Sequence, residues 1–250
     1  AYFAANAQGT ANLMEALAKL STPPKRVVLV SSLAAGGPAI GREQPRLEAD
    51  EARPVSAYGE SKLAAELEAL KYKDRMQVAI LRPPMVYGPR DKGVYVLIKA
   101  VSRRIHPRLP GGDPSGDKFY SLIHSDDLVE AILRMGAAEF KSGEIFHVSD
   151  GAVYSSSQLL GEMAGALGVR ALKLPVPSWV LKSAAWSLTR LSNATGRAFA
   201  LNQDKLGEIL PDYWICSVEK SREVLGFEPR IRLAEGMRST VKWYKDNQWL

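Results

Sequence analysis

Two residue types at helical spacing raise the first chemical question. In the stretch "VSAYGESKLAAE", Val55 to Glu66, Tyr58 and Lys62 stand four apart, which places both on one face of a helix. A protonated ammonium beside a phenol favours phenolate and lowers the tyrosine pKa from its usual value of about 10. That makes the tyrosine a usable acid/base near neutrality. Proton transfer also needs a donor that fixes the reacting oxygen. Ser31 and Ser32 close the short apolar run "VVLV", just before the loop and helix that carry Tyr58. In an open parallel sheet the carboxyl ends of the strands form the crevice where ligands sit. Ser, Tyr and Lys can converge there, with Pro83 and Pro84 ending a neighbouring strand at the same edge.

Spacing alone decides nothing. A second Tyr-x-x-x-Lys pair, Tyr95 and Lys99 in "GVYVLIKAV", lacks polar partners supplied by neighbouring strands and reads as core-facing helix. Ser31 and Ser32 also fit a plain cap at a strand end. Asp126 and Asp127 stand in the first turn of a helix capped by Ser125, where the helix dipole favours carboxylates. His106, His124 and His147 lie far apart without ligand spacing, so no metal is expected.

The elements that must position these residues alternate. Ala4 to Leu20 has helical periodicity, "VVLV" and "QVAILRPP" read as buried strands, and Ser56 or a neighbour starts a helix running to about Tyr72. A helix around Val94 to Arg104, strands "YSLIH" and "GEIFHVS", and a mostly helical remainder from Tyr154 follow. Strands alternating with helices predict a parallel α/β sheet.

Composition sets the outer bounds. The chain has 250 residues, 46% hydrophobic and 24% charged, with a net charge of +6. That is a globular composition, and no Lys/Arg block is dense enough to argue for nucleic acid. The single Cys216 excludes an internal disulfide and fits a reducing, cytoplasmic setting. No run of about eighteen apolar residues and no secretory signal is visible.

Six pieces, taken in order, resemble the extended short-chain dehydrogenase/reductase family, the NAD-dependent epimerase/dehydratase group. They are "NAQGTANLMEAL" (Asn6 to Leu17), "VVLVSS" (Val27 to Ser32), "YGESKLAAE" (Tyr58 to Glu66), "LRPPMVYGPRD" (Leu81 to Asp91), "LIHSDDLVEAIL" (Leu122 to Leu133) and "LGFEPRIRLAEGM" (Leu225 to Met237). The resemblance implies a Rossmann-like doubly wound parallel sheet with a smaller, mostly helical C-terminal part. It implies NAD or NADP as cofactor, Tyr58 as general acid/base, and Lys62 holding the nicotinamide ribose. Ser32 would hydrogen-bond the substrate oxygen, with Ser31 beside it. Asn6 would support a water in the proton relay, although a structural helix residue fits equally. Pro83 and Pro84 would lay backbone against the nicotinamide, and Met85 and Tyr87 would face the substrate. The implied division gives residues 1–90 and 119–150 to the cofactor and 91–118 and 151–250 to the substrate. Relatives often form homodimers through the helices that here span Ala4 to Leu20 and Ala57 to Tyr72.

One family signature is missing. A dinucleotide site needs a glycine-rich turn between a first strand and its helix, and nothing of that kind precedes Asn6; "GGPAIG" follows the serine-bearing strand instead. The chain reads as N-terminally truncated, and a fragment without cofactor binding or catalysis remains one reading. Two departures bear on substrate. Met85 stands where nucleotide-sugar relatives commonly have Asn, and Lys118-Phe119-Tyr120-Ser121 where they have Arg-Asp-Phe. An apolar Met suits an apolar ligand. The stretch "LPVPSWVLKSAAWSLTRL", Leu174 to Leu191, reads as a packing helix, a lid over a lipidic substrate, or an interfacial helix touching a membrane. The first expectation is therefore an oxidoreductase of a hydroxysteroid-like alcohol, near the 3β-hydroxysteroid dehydrogenase-like branch. A nucleotide-sugar epimerase or dehydratase is the alternative.

Overall fold

The computed structural model describes residues 2–196 and 201–250. A π-helical turn, Ala4–Gln8, runs without a break into α1 (Gly9–Ala18). There follow β1 (Arg26–Val30), α2 (Leu33–Gly36), α3 (Ala57–Leu70), β2 (Gln77–Arg82), β3 (Met85–Tyr87), α4 (Gly93–Ser102), β4 (Ile105–Arg108) and β5 (Phe119–His124). The remainder holds α5 (Ser125–Ala137), β6 (Glu144–His147), β7 (Val153–Ser155), α6 (Ser156–Leu167), β8 (Leu172–Pro175), α7 (Ser178–Thr195), α8 (Gln203–Ile209), β9 (Tyr213–Trp214), α9 (Glu219–Leu225) and α10 (Leu233–Asp246). The fold is α/β and Rossmann-like.

β1, β2 and β6 form one parallel sheet in that order, with Val28 opposite Ala79 and Leu81 opposite Phe146. β2 is central and buried on both faces, as parallel strands flanked by helices are. β1 was expected to be buried as well, but only β2 pairs with it among the described residues, and its side chains are half-buried or exposed. Apolar composition marks a strand without saying how many neighbours it has.

A second sheet joins β3, β5 and β7, with β9 beside β5. Three short strands, β7, β8 and β9, therefore interrupt the C-terminal region expected to be mostly helical. Phe146, Leu81, Ile123, Met135 and Phe227 pack one core between the first sheet and α5, and Tyr87, Ile98, Leu122, Met163, Met237 and Tyr244 pack another under α4, α6 and α10.

Helix ends follow local chemistry. Ser56 caps α3 by accepting from the Gly59 N–H at 3.0 Å. At α5 the cap is the His124 ring, Nδ1 accepting from Asp126 N at 3.3 Å, and not Ser125. Asp127 is no cap either. Its buried carboxylate accepts the Ile231 N–H at 2.9 Å and the Arg230 N–H at 3.2 Å, pinning the segment that leads into α10.

Candidate active site

The carboxyl ends of β1 and β2 are laced together past their last ladder residues. Ser31 N donates to Leu81 O at 2.7 Å and Leu33 N to Pro83 O at 2.8 Å. This fixes Ser31 and Ser32 at the sheet edge, where Ser32 starts the short α2 by accepting from Ala34 N. α3 then presses onto α2. A Cβ at Gly59 would stand 2.4 Å from the Ala34 carbonyl oxygen, so only glycine permits the approach. The contact brings Tyr58, on the first turn of α3, to Ser32.

The half-buried Tyr58 phenol is pushed above its ordinary pKa by burial, and the Ser32 side chain pulls it back down. Glu208 raises it further and Lys205 opposes that. Tyr2 packs edge-on against the Tyr58 ring at 5.6 Å between centroids. Lys62 does not supply the expected depression of the phenol. Its Nζ donates to the Val30 carbonyl oxygen at 2.8 Å, and burial lowers its own pKa while Glu66 works the other way.

Three supporting residues escaped the sequence reading. Ser61 is fully buried, accepts from Asn6 Nδ2 at 2.9 Å and donates to the Tyr58 carbonyl at 2.7 Å. It thereby ties the π-helical turn to the tyrosine's own backbone. Glu66 and Arg82, 1% and 3% exposed, form a bidentate pair of 2.9 and 2.6 Å. The Ser31 hydroxyl donates to the same Glu66 carboxylate, so Ser31, expected at the cofactor, faces into this network. Glu66 lies four residues beyond Lys62, the spacing that could have revealed it.

α8 arrives from the C-terminal region. Its Asp204 carboxylate accepts from Ala57 N at 2.5 Å, and Ser56 Oγ donates to Glu208 at 2.9 Å. The remaining expected residues divide. Pro83 is buried with its carbonyl engaged, and Pro84 is half-buried beside it. Met85 is half-buried against the second core. Tyr87, expected to face the substrate, is 1% exposed, stacked edge-on to His124 at 5.4 Å beneath Gly236 of α10. It belongs to the core. The Tyr95–Lys99 pair packs on itself, and the Tyr95 hydroxyl donates to Trp249 O. Among the described residues no cluster of three or more His, Cys, Asp or Glu could hold a metal ion, and no helix is long and apolar enough to cross a membrane.

A parallel-strand end carrying Ser and a helix carrying Tyr and Lys define a dehydrogenase-type α/β site. The profile of the NAD-dependent epimerase/dehydratase family matches residues 1–149, and the chain belongs to that family. It is 31% identical over 246 residues to UDP-glucose 4-epimerase of Vibrio cholerae, covering 96% of this chain and 69% of that one. It is 25% identical over 202 residues to human dTDP-D-glucose 4,6-dehydratase, covering 80% of this chain and 51% of that one. Among solved structures it is similar to MoeE5 in complex with UDP-glucuronic acid and NAD, with a TM-score of 0.71 and 25% identity, covering 97% of this chain and 71% of that one.

These names overturn the expectation of a hydroxysteroid-like substrate, since each of them carries a nucleotide sugar. The two departures that argued against a nucleotide sugar have structural causes. Met85 packs against the core. Lys118 is fully buried, paired with Asp212 at 2.7 Å, and Phe119 stacks on Tyr213. They lock the C-terminal region onto β5.

Proposed function

We propose that this protein is an NAD(P)-dependent epimerase or dehydratase of nucleotide sugars, with Tyr58 as the group that exchanges a proton with the sugar. The observation that carries the reading is the placement of Tyr58 against Ser32 at the carboxyl edge of β1 and β2, within a chain of this family. Ser32 orients the reacting oxygen, and Tyr58 Oη takes or gives its proton. Asn6 and Ser61 hold the tyrosine's backbone in register.

The free donors at this edge bear on where a cofactor would sit. Lys62 Nζ makes one hydrogen bond, to Val30 O, which leaves N–H groups for a ribose diol. These donors suit the nicotinamide-ribose end. The sequence holds no glycine-rich strand–helix turn for the diphosphate. When bound, the cofactor supplies hydride acceptance and return.

In this reading residues 1–90 and 119–150 serve the cofactor side, and 91–118 with 151–250 the substrate side. Exposed Leu13 on α1 and Leu67 on α3 support self-association through those helices. The test is incubation with NAD+ and UDP-glucose or dTDP-glucose, with products followed by NMR. A 4-epimer or a 4-keto-6-deoxy product supports the reading, and unchanged sugars at saturating cofactor overturn it.

A further inference from the structure

We propose that the outward face of α7, with the neighbouring strand β8, docks this protein onto an anionic lipid bilayer surface. Leu181 and Ala185 are buried and fix which side of α7 faces the protein. Trp179 and Trp186, seven residues or two turns apart, share the opposite side, 69% and 50% exposed. Val180 and Leu191 on α7 are exposed as well, as are Leu172 and Leu174 on β8, the strand that precedes α7 in the chain. An exposed tryptophan pair on a helix is a costly surface in water and suits the headgroup–acyl boundary, where an indole's apolar body and polar N–H both find partners.

Charge selects the occupant. Between Glu162 and Asp204 lies none of the chain's 27 acidic residues, while Arg170, Lys173, Lys182 and Arg190 all stand exposed in that interval. None of the four is in an ion pair among the described residues, and Arg190 lies over the Trp186 ring at 4.7 Å. On the C-terminal side the nearest acids, on α8, are turned inward: Asp204 to Ala57 N, and Glu208 to Ser56 and Lys205, while Glu162 on α6 is exposed. An apolar helix face whose own segment carries cations and no carboxylates matches anionic headgroups, each cation near such a surface adding about 1 kcal/mol, or roughly fivefold; Asp117 lies near Lys173 and offsets part of that one charge. The helix is too polar to cross the bilayer and is suited to lying on it.

The test uses the whole chain and no substrate, so it stands apart from the proposed activity. Sedimentation with phosphatidylglycerol/phosphatidylcholine vesicles is compared with pure phosphatidylcholine vesicles. The chain should pellet only with the anionic vesicles and be released as salt is raised. Trp179→Ser/Trp186→Ser and Lys182→Glu/Arg190→Glu alter only exposed side chains. Each double variant should bind on the order of tenfold more weakly or worse, with an unchanged circular dichroism spectrum. No pelleting with anionic vesicles, or affinity unchanged in both variants, overturns the proposal. So does dimerisation that is lost in the tryptophan variant without any vesicle binding, which would assign the face to a second copy.

Discussion

Lys62 and Tyr58 share one face of α3, yet the lysine's ammonium is spent on the carbonyl oxygen of Val30, 2.8 Å away, and does not act on the phenol. In the free chain, burial therefore governs the tyrosine and keeps it protonated. The lysine's role in the proposed site is to hold a ribose. Lys62→Met removes a charged donor, and such hydrogen bonds contribute about 1.5–3 kcal/mol. NADH affinity, read by nicotinamide fluorescence, should fall roughly tenfold to hundredfold. Unchanged affinity would remove Lys62 from the cofactor site.

The Glu66–Arg82 pair holds the floor of the site and is almost sealed from water. Removing one partner of such a pair leaves an uncompensated charge and costs about 3–5 kcal/mol. Arg82→Met should lose that much in urea unfolding. Glu66→Gln/Arg82→Met should lose clearly less, because no ion is stranded. Equal losses in both variants would show that packing, not charge, dominates there.

His147, at the end of β6, has both ring nitrogens buried without a hydrogen-bond partner, the Glu48 carboxylate standing 3.9 Å from Nδ1. Burial first, and then the Arg82 charge, lower its pKa from 6.5 to about 3. A histidine that binds its proton only when unfolded makes stability fall as pH drops below the unfolded value, and the loss continues down to the folded one. At pH 5 the loss attributable to His147 should be about 2 kcal/mol. His147→Asn should flatten the stability profile between pH 7 and pH 5 by that amount. A slope identical to that of the unsubstituted chain would contradict the assignment.

Much of the α/β alternation and the Ser–Tyr–Lys set is readable from sequence because each signal is local. "VVLV" ends in serines, and Tyr58 and Lys62 stand one helical turn apart. What stays hidden is long-range. Ser56 and Glu208 meet across 152 positions. Asn6 and Ser61 meet across 55. β7 and β9 are too short to show alternation. The substrate reading failed for a related reason. Met85 and Lys118 carry packing and ion-pair duties whose partners lie elsewhere in the chain, so their identities do not report on the ligand.

The most direct test of the proposed chemistry is turnover of UDP-glucose or dTDP-glucose by the chain and by Tyr58→Phe, compared at equal NAD+ occupancy. General acid/base catalysis contributes about 10²–10⁴-fold. The variant should keep its NAD+ affinity and lose sugar turnover by at least the lower figure. Turnover that survives the loss of the hydroxyl would contradict the assignment of Tyr58 as the proton-transferring residue.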